Sequence, residues 1–205
     1  MRKTKEDAAL TRQALLDGAL RCFDQKGIAG STLDEIAGEA HVTKGALYWH
    51  FTGKAAIVRA MRDAVSLPIL DRADVTLLHE GAGDPLARVE AFLAGTLDAL
   101  ERDAAVRTAL SVMHFKCEYA GEREGQLEGA RANTRHLAAA FRKAYESARR
   151  QGLLVAGVTP RAAAAETLMF MSGLLRLWLL DPTAQGLRRD ARAAVRAHVR
   201  AKRAA

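Results

Sequence analysis

The sequence predicts an all-α chain of about nine helices, and three observations predict it. Apolar residues recur at three-four spacing along most of the 205 residues, no segment alternates as a half-buried strand does, and only four prolines interrupt the length. Abundant alanine points the same way, because it costs least to place in a helix. With 49% apolar residues, the chain can bury a core without disulfides or metals.

The elements follow in order. Leu15, Leu16, Ala19, Leu20 and Phe23 mark the buried side of a first helix that Gly27 stops, with Lys26 complementing its negative end. Thr32 and Glu35 have the spacing of a capping box, which starts a second helix with Ile36, Ala37 and Ala40 inside. The pattern breaks at His41-Val42-Thr43, and Thr43 caps a short third helix, Lys44 to His50. A long helix follows from Gly53 to about Leu78 with Pro68 inside it, where a missing backbone donor is expected to kink it. Asp84-Pro85 opens the next helix, at about 85–102, and another follows at about 103–118. Leu127, Ala130, Thr134, Leu137, Phe141, Tyr145 and Ala148 mark a longer one that Gly152 ends. Thr159-Pro160 opens a helix apolar almost all round, broken at Asp181-Pro182-Thr183, and a basic amphipathic helix closes the chain.

Composition narrows the function. The formal charge of +7 is concentrated at one end: residues 183–205 hold seven Lys/Arg against the single acid Asp190, while residues 1–60 hold nine against seven acids. Global charge therefore does not locate a nucleic-acid surface. Cys22 and Cys117 are far apart with no CxxC spacing, as expected of reduced thiols. No apolar stretch follows the charged opening residues, and Leu168–Leu180 is short for a membrane span and contains Arg176, so a soluble, cytoplasmic protein is expected. No Gly-rich phosphate loop, HExxH or GxSxG is present, which argues against an enzyme. The spacing of His114, Cys117 and Glu118 could suit a metal, but zinc-type ligands are too few to define a site, and no cofactor is implied.

The stretch Thr32 to Lys54 carries the function. Two short helices meeting at a turn of three or four residues form a helix-turn-helix. Ala37 is small where the helices cross, His41 takes the turn position that favours a left-handed backbone, and Val42, Leu47 and Phe51 fill the interior. Lys44 and Tyr48, four residues apart, share the outward face of the short helix. Gly45 adds no side chain between that helix and DNA. Lys44 can neutralise a phosphate or reach a guanine edge, and Tyr48 and His50 can donate to phosphate oxygens. Thr32 and Thr43 stand at helix N-termini, where backbone N–H groups attract phosphate, and Lys54 can clamp the same strand.

From Thr11 to Ile57 the chain strongly resembles the DNA-binding domain of the TetR family of regulators. Arg2-Lys3-Thr4-Lys5-Glu6, Tyr48-Trp49-His50-Phe51, His114-Phe115-Lys116-Cys117-Glu118-Tyr119 and Ser172-Gly173-Leu174 with Trp178-Leu179 and Pro182 look like the AcrR/TtgR branch of multidrug-efflux repressors. The resemblance implies a DNA-binding domain over 1–55, with the helix-turn-helix at about 32–51, and an effector-binding and dimerisation domain over 56–205. It implies DNA contacts by Thr32, Thr43, Lys44, Gly45, Tyr48, Trp49, His50 and Lys54. It further implies a homodimer on palindromic double-stranded DNA, released by a small hydrophobic or aromatic effector.

The apolar faces of residues 85–150 carry Phe92, Leu93, Leu110, Met113, Phe141 and Tyr145, with His114 and Ser172 as isolated polar groups, the make-up of a ligand pocket. Adding the resemblance, the expected lining is Phe92, Leu93, Thr96, Leu110, Met113, His114, Phe141, Leu168, Met171 and Ser172. Some family members carry an acid where this chain has Ser172, or in the fourth helix near Ser66, so neutral planar effectors are expected at least as readily as cationic ones. Leu168–Leu180 cannot be solvated on any face, and Leu187, Ala191, Ala194, Val195 and His198 line one side of the last helix. Together with Leu174 and Trp178 they are expected to form a four-helix dimer seam, with Arg188, Arg189, Arg192, Arg196 and Arg200 pointing outward. The rival reading is a DNA-binding regulator without a small-molecule effector, acting through a protein partner or promoter competition.

Overall fold

A computed structural model describes residues 4–78, 83–116, 123–181 and 185–204, the side chains of 123–126 excepted. Among these residues lie nine α-helices: α1 (Lys5–Gly30), α2 (Leu33–Glu39), α3 (Lys44–His50), α4 (Lys54–Leu77), α5 (Pro85–Arg102), α6 (Ala104–Ser111), α7 (Arg123–Arg150), α8 (Pro160–Leu180) and α9 (Gln185–Arg200). A π-helical turn, Val112–Lys116, extends α6. The only β-pairing among them is an isolated bridge between Leu154 and Arg203.

Local chemistry sets most helix ends. The Thr32 and Glu35 side chains cap α2 reciprocally, and the Thr43 and Thr159 hydroxyls accept from Ala46 and Ala162. Asp84 accepts from the backbone of Leu86 and Ala87 at the start of α5, whose first residue is Pro85. The first helix starts earlier than its apolar pattern, at a second capping box formed by Thr4 and Asp7. Gly27 stops the regular helix as expected, at a non-helical φ of +73° and ψ of 168°, and one further turn beyond that kink carries α1 to Gly30. Pro68 lies inside α4, as read from the sequence, and leaves the Ala64 carbonyl without its helical donor.

The chain packs as two compact units. The first comprises Met1–Val65 with Ala105–Glu128. Its core joins Leu15, Leu16, Ala19 and Phe23 of α1 to Ile36, Ala37, Leu47, Phe51, Ile57 and Val112. Burying such side chains stabilises by roughly 1.5–3 kcal/mol each, which makes this small unit a rigid platform. Gly18 lets α1 and α2 touch: a Cβ there would stand 3.0 Å from the backbone nitrogen of Ala40 and 3.1 Å from its Cβ. The α1–α2 contact is closed by two ion pairs, Arg21–Glu39 at 2.6 Å and Lys26–Glu35 at 2.5 Å. Lys116 reaches back to Asp24 of α1 at 2.6 Å.

The second unit comprises Ser66–Ala104 with Gly129–Ala205. Here α9 packs on α5 and α8. Phe92 and Phe141, both fully buried, meet edge to face at 5.6 Å between centroids. A buried polar line runs through the unit: Tyr145 Oη to Thr167 Oγ1 at 2.7 Å, then Thr167 Oγ1 to His198 Nε2 at 2.8 Å, with His198 stacked on Phe170. The last residues are tied down. Val155 donates to the Lys202 carbonyl and Ala204 to the Leu153 carbonyl, buried Lys202 pairs with Glu166 at 2.6 Å, and Arg203 pairs with Asp84.

By length and composition α8 is long enough to cross a membrane, which corrects the shorter span read from Leu168–Leu180. One face of it is nevertheless buried in this unit, through Ala163, Thr167, Met171, Leu174 and Trp178 among others.

Candidate nucleic-acid interface and effector unit

The helix-turn-helix is built by α2 and α3. His41 adopts φ +55° in the turn between them, and Leu47 and Phe51 are buried beneath. Arg12 of α1 lies over the Phe51 ring at 5.3 Å. What remains outside is one face of α3. Lys44, Gly45, Tyr48 and Trp49 are exposed, with Trp49 at 73%, and Thr32 and Thr43 stand exposed at the starts of α2 and α3. Most of the Trp49 ring is open to solvent on the same face as Tyr48 and Lys44, which together offer an aromatic and cationic surface to an external partner. A Cβ at Gly45 would meet only Thr43 Oγ1 at 4.0 Å, so nothing inside the protein requires glycine there. Trp49 packs edge-on against half-buried His50 at 4.5 Å, and both line an open groove of about 590 Å³ with Thr4, Lys5, Ala8 and Ala46.

Two lysines behave differently from the reading based on sequence. Lys54 is spent on the protein: its ammonium donates to the Ser31 carbonyl at 2.7 Å and the Ala29 carbonyl at 3.2 Å, closing the C-terminal end of α1. Lys44 is paired with Asp34 at 2.7 Å, a partner that the sequence reading missed, and the carboxylate raises its pKa. Nearby, Lys26 and the Thr32 backbone N–H hold the Glu35 carboxyl down to about 2.

The expected effector residues divide between the two units. Phe92, Leu93, Thr96, Phe141 and Met171 are buried in the second, where Thr96 donates to the Phe92 carbonyl at 2.9 Å. Leu110, Met113 and His114 belong to the first, and His114 is exposed. Ser172 is exposed as well, its hydroxyl turned back onto the Leu168 carbonyl. The buried polar side chains of the second unit include Thr96, Thr167 and Tyr145, of which only Thr96 was singled out as a polar lining residue. Burial pushes the Tyr145 hydroxyl up to about 12, so it stays protonated as a donor or acceptor. A groove of about 620 Å³ between α7 and α8 is lined by Leu168, Met169, four alanines and the three arginines Arg135, Arg142 and Arg161.

The residues expected at a dimer seam are mostly interior. Trp178, Ala191 and Val195 are 1–2% exposed and Leu174 is 8% exposed within a single chain, while Leu187, Ala194 and His198 are half-buried. Little of their surface is left to bury against a partner. The outward face of α8 carries Met169, Leu177 and Leu180, each more than half exposed, so this helix is not enclosed on every side. The arginines of α9 do not all point outward. Arg188 covers the Trp178 ring at 4.0 Å, and Arg192 binds Glu101 at 2.8 Å and also Asp98, while Arg189, Arg196 and Arg200 are exposed. Of the residues weighed for a metal, Cys117 and Glu118 lie outside the described residues; among those described, no cluster of three ligands occurs.

Comparison with known proteins fits this geometry. Residues 15–61 match the family model for bacterial regulatory proteins of the tetR family, and residues 84–202 match that of the MAATS-type transcriptional repressor C-terminal region. The transcriptional regulator TtgR of Pseudomonas putida is 32% identical over 192 residues, covering 93% of this chain and 90% of TtgR. The crystal structure of NalD, the secondary repressor of the MexAB-OprM multidrug efflux pump in Pseudomonas aeruginosa, superposes with a TM-score of 0.85 at 28% identity, covering 97% of this chain and 98% of NalD. SmeT, the repressor of the Stenotrophomonas maltophilia efflux pump SmeDEF, in complex with triclosan, gives 0.84 at 27% identity, covering 95% of this chain and 92% of SmeT.

Proposed function

The chain belongs to the TetR family of bacterial regulatory proteins, and from that premise we propose that it is a transcriptional repressor of a multidrug-efflux operon, released from its operator by a small hydrophobic or aromatic ligand. Members of the family are DNA-binding regulators, so the chain is a regulator and not an enzyme. The observation that carries the reading is the outward face of α3, where Lys44, Gly45, Tyr48 and Trp49 lie exposed over a buried core.

Two protomers each place α3 in a major groove of a palindromic operator, with half-sites about one helical turn apart. Lys44 reaches a base edge, and Tyr48, Trp49, His50 and the N-termini beside Thr32 and Thr43 hold phosphates. Lys54 supports this face by closing α1. The exposed stripe Met169, Leu177 and Leu180 of α8 supplies the apolar seam with the second protomer. Effector binding within residues 56–205 favours a dimer whose α3 spacing no longer matches the operator, and affinity falls by the difference in the two affinities. The efflux repressors NalD and SmeT support the assignment of target, and the triclosan complex of SmeT supports a neutral aromatic ligand.

Fluorescence anisotropy on the chain's own upstream intergenic DNA, beside a scrambled duplex, tests the reading. Wild type binds its own DNA selectively, a Lys44→Ala/Tyr48→Ala double variant loses that binding, and triclosan or another planar aromatic releases it. Selective binding that no compound disturbs would transfer the signal to a protein partner. Equal binding to both duplexes overturns the reading.

A further inference from the structure

Lys44 is the only lysine or arginine between Leu33 and Phe51, a stretch that also holds Asp34, Glu35 and Glu39. The helix-turn-helix therefore approaches a polyanion with a single formal cation. Of the three acids, Glu35 is held by Lys26 and Glu39 by Arg21, both on α1 and behind the reading face. The third, Asp34, reaches forward across the turn. Both its oxygens lie within reach of the Lys44 ammonium, at 2.7 and 2.9 Å, and both side chains are more than half exposed. An exposed pair of this kind contributes little to folding. Its cost falls on DNA binding, because it places a carboxylate beside the one cation of the reading helix.

We propose that Asp34 is a specificity-determining residue of this regulator, holding the Lys44 ammonium for a guanine edge and penalising its use on phosphate. The inference rests on the DNA-reading function proposed above. An ammonium has three donors. With Asp34 occupying part of them, a remaining N–H can meet guanine O6 or N7 while the pair stays intact. A phosphate contact at a wrong sequence requires Lys44 to swing away, leaving the Asp34 carboxylate unpaired in the negative field of the DNA. Asp34 thus weakens non-specific binding more than specific binding, and the ratio of the two is what a repressor needs among competing sites.

The test uses a duplex that the wild type selects from a randomised pool and a scrambled duplex of the same composition, with affinities measured by anisotropy across a salt series. Asp34→Asn keeps the size and the first-turn position of the side chain and removes the charge. Its affinity for the scrambled duplex rises, the slope of log K against log salt there steepens by about one, and the selected-to-scrambled ratio falls about tenfold. In a Lys44→Met background the same Asp34→Asn change alters the salt slope by clearly less, because only the repulsion of the carboxylate itself is then removed and no cation is released. A ratio that does not change overturns the proposal, as does equal weakening on both duplexes, or a slope that steepens just as much without Lys44. Failure of the wild type to select any sequence would instead defeat the DNA-reading function itself, and this inference with it.

Discussion

Tyr145 of α7 and Thr167 of α8 share a 2.7 Å hydrogen bond between fully buried side-chain oxygens, and Thr167 passes it on to His198 of α9 at 2.8 Å. One threonine thus ties three helices of the same unit. Removing a buried group that two neighbours depend on costs more than removing an end of the line, because more polar atoms are left unpaired. Thr167→Val should cost about 1–3 kcal/mol and Tyr145→Phe about 0.5–1.5 kcal/mol. Urea unfolding at neutral pH compares them, and equal costs would deny Thr167 its central place.

The far end of that line titrates in a low range. Burial first, and then the charge of Lys202, push the His198 imidazole down to about 4, with Glu166 opposing. In the unfolded chain the ring takes its proton near pH ~6.5. The stability held by the neutral ring is therefore complete above that pH and is lost steadily as the pH falls toward about 4, since only the unfolded chain binds the proton in that window. Melting temperatures measured from neutral pH down into that window should fall more steeply for wild type than for His198→Gln. Parallel curves would mean that His198 is not the group responsible.

Two glycines of the first unit give opposite expectations. At Gly18 a methyl group meets Ala40 at 3.0–3.1 Å and the Ile36 carbonyl at 3.2 Å, so Gly18→Ala must push α2 away and should destabilise by about 1–3 kcal/mol. At Gly38, inside α2, nothing lies within 4 Å, and Gly38→Ala should stabilise by about 0.4–1 kcal/mol. Thermal denaturation of the two variants decides this. A harmless Gly18→Ala would show that α1 and α2 are not locked by close backbone contact.

What was legible in the sequence is what local chemistry determines. The caps at Thr32, Thr43, Asp84 and Thr159 could be placed because a cap and its donors lie within three residues. His41 in the left-handed turn was legible for the same reason. The start of α1 was not, because its first turns carry little apolar periodicity, although Thr4 and Asp7 have capping-box spacing. Periodicity told that Ala191 and Val195 share a buried face, but not against what: both are buried within a single chain, in which α9 packs on α5 and α8. Lys54 and Lys44 looked alike as exposed cations in the sequence. Only the three-dimensional path of the chain brings one to the Ser31 carbonyl, 23 residues away, and the other to Asp34, ten residues away.

The docking of residues 201–204 has a genetic corollary. Lys202 and Arg203 fasten to Glu166 and Asp84, and the backbone of Lys202 and Ala204 pairs with Val155 and Leu153. A stop codon directly after Arg200 would therefore remove the buried Lys202 side chain and two ion pairs, and leave two backbone groups, the Val155 N–H and the Leu153 carbonyl, without their partners. Inactivating alleles of this gene should reach codons 201–204 and not thin out there, as they would if α9 were followed by a dispensable tail.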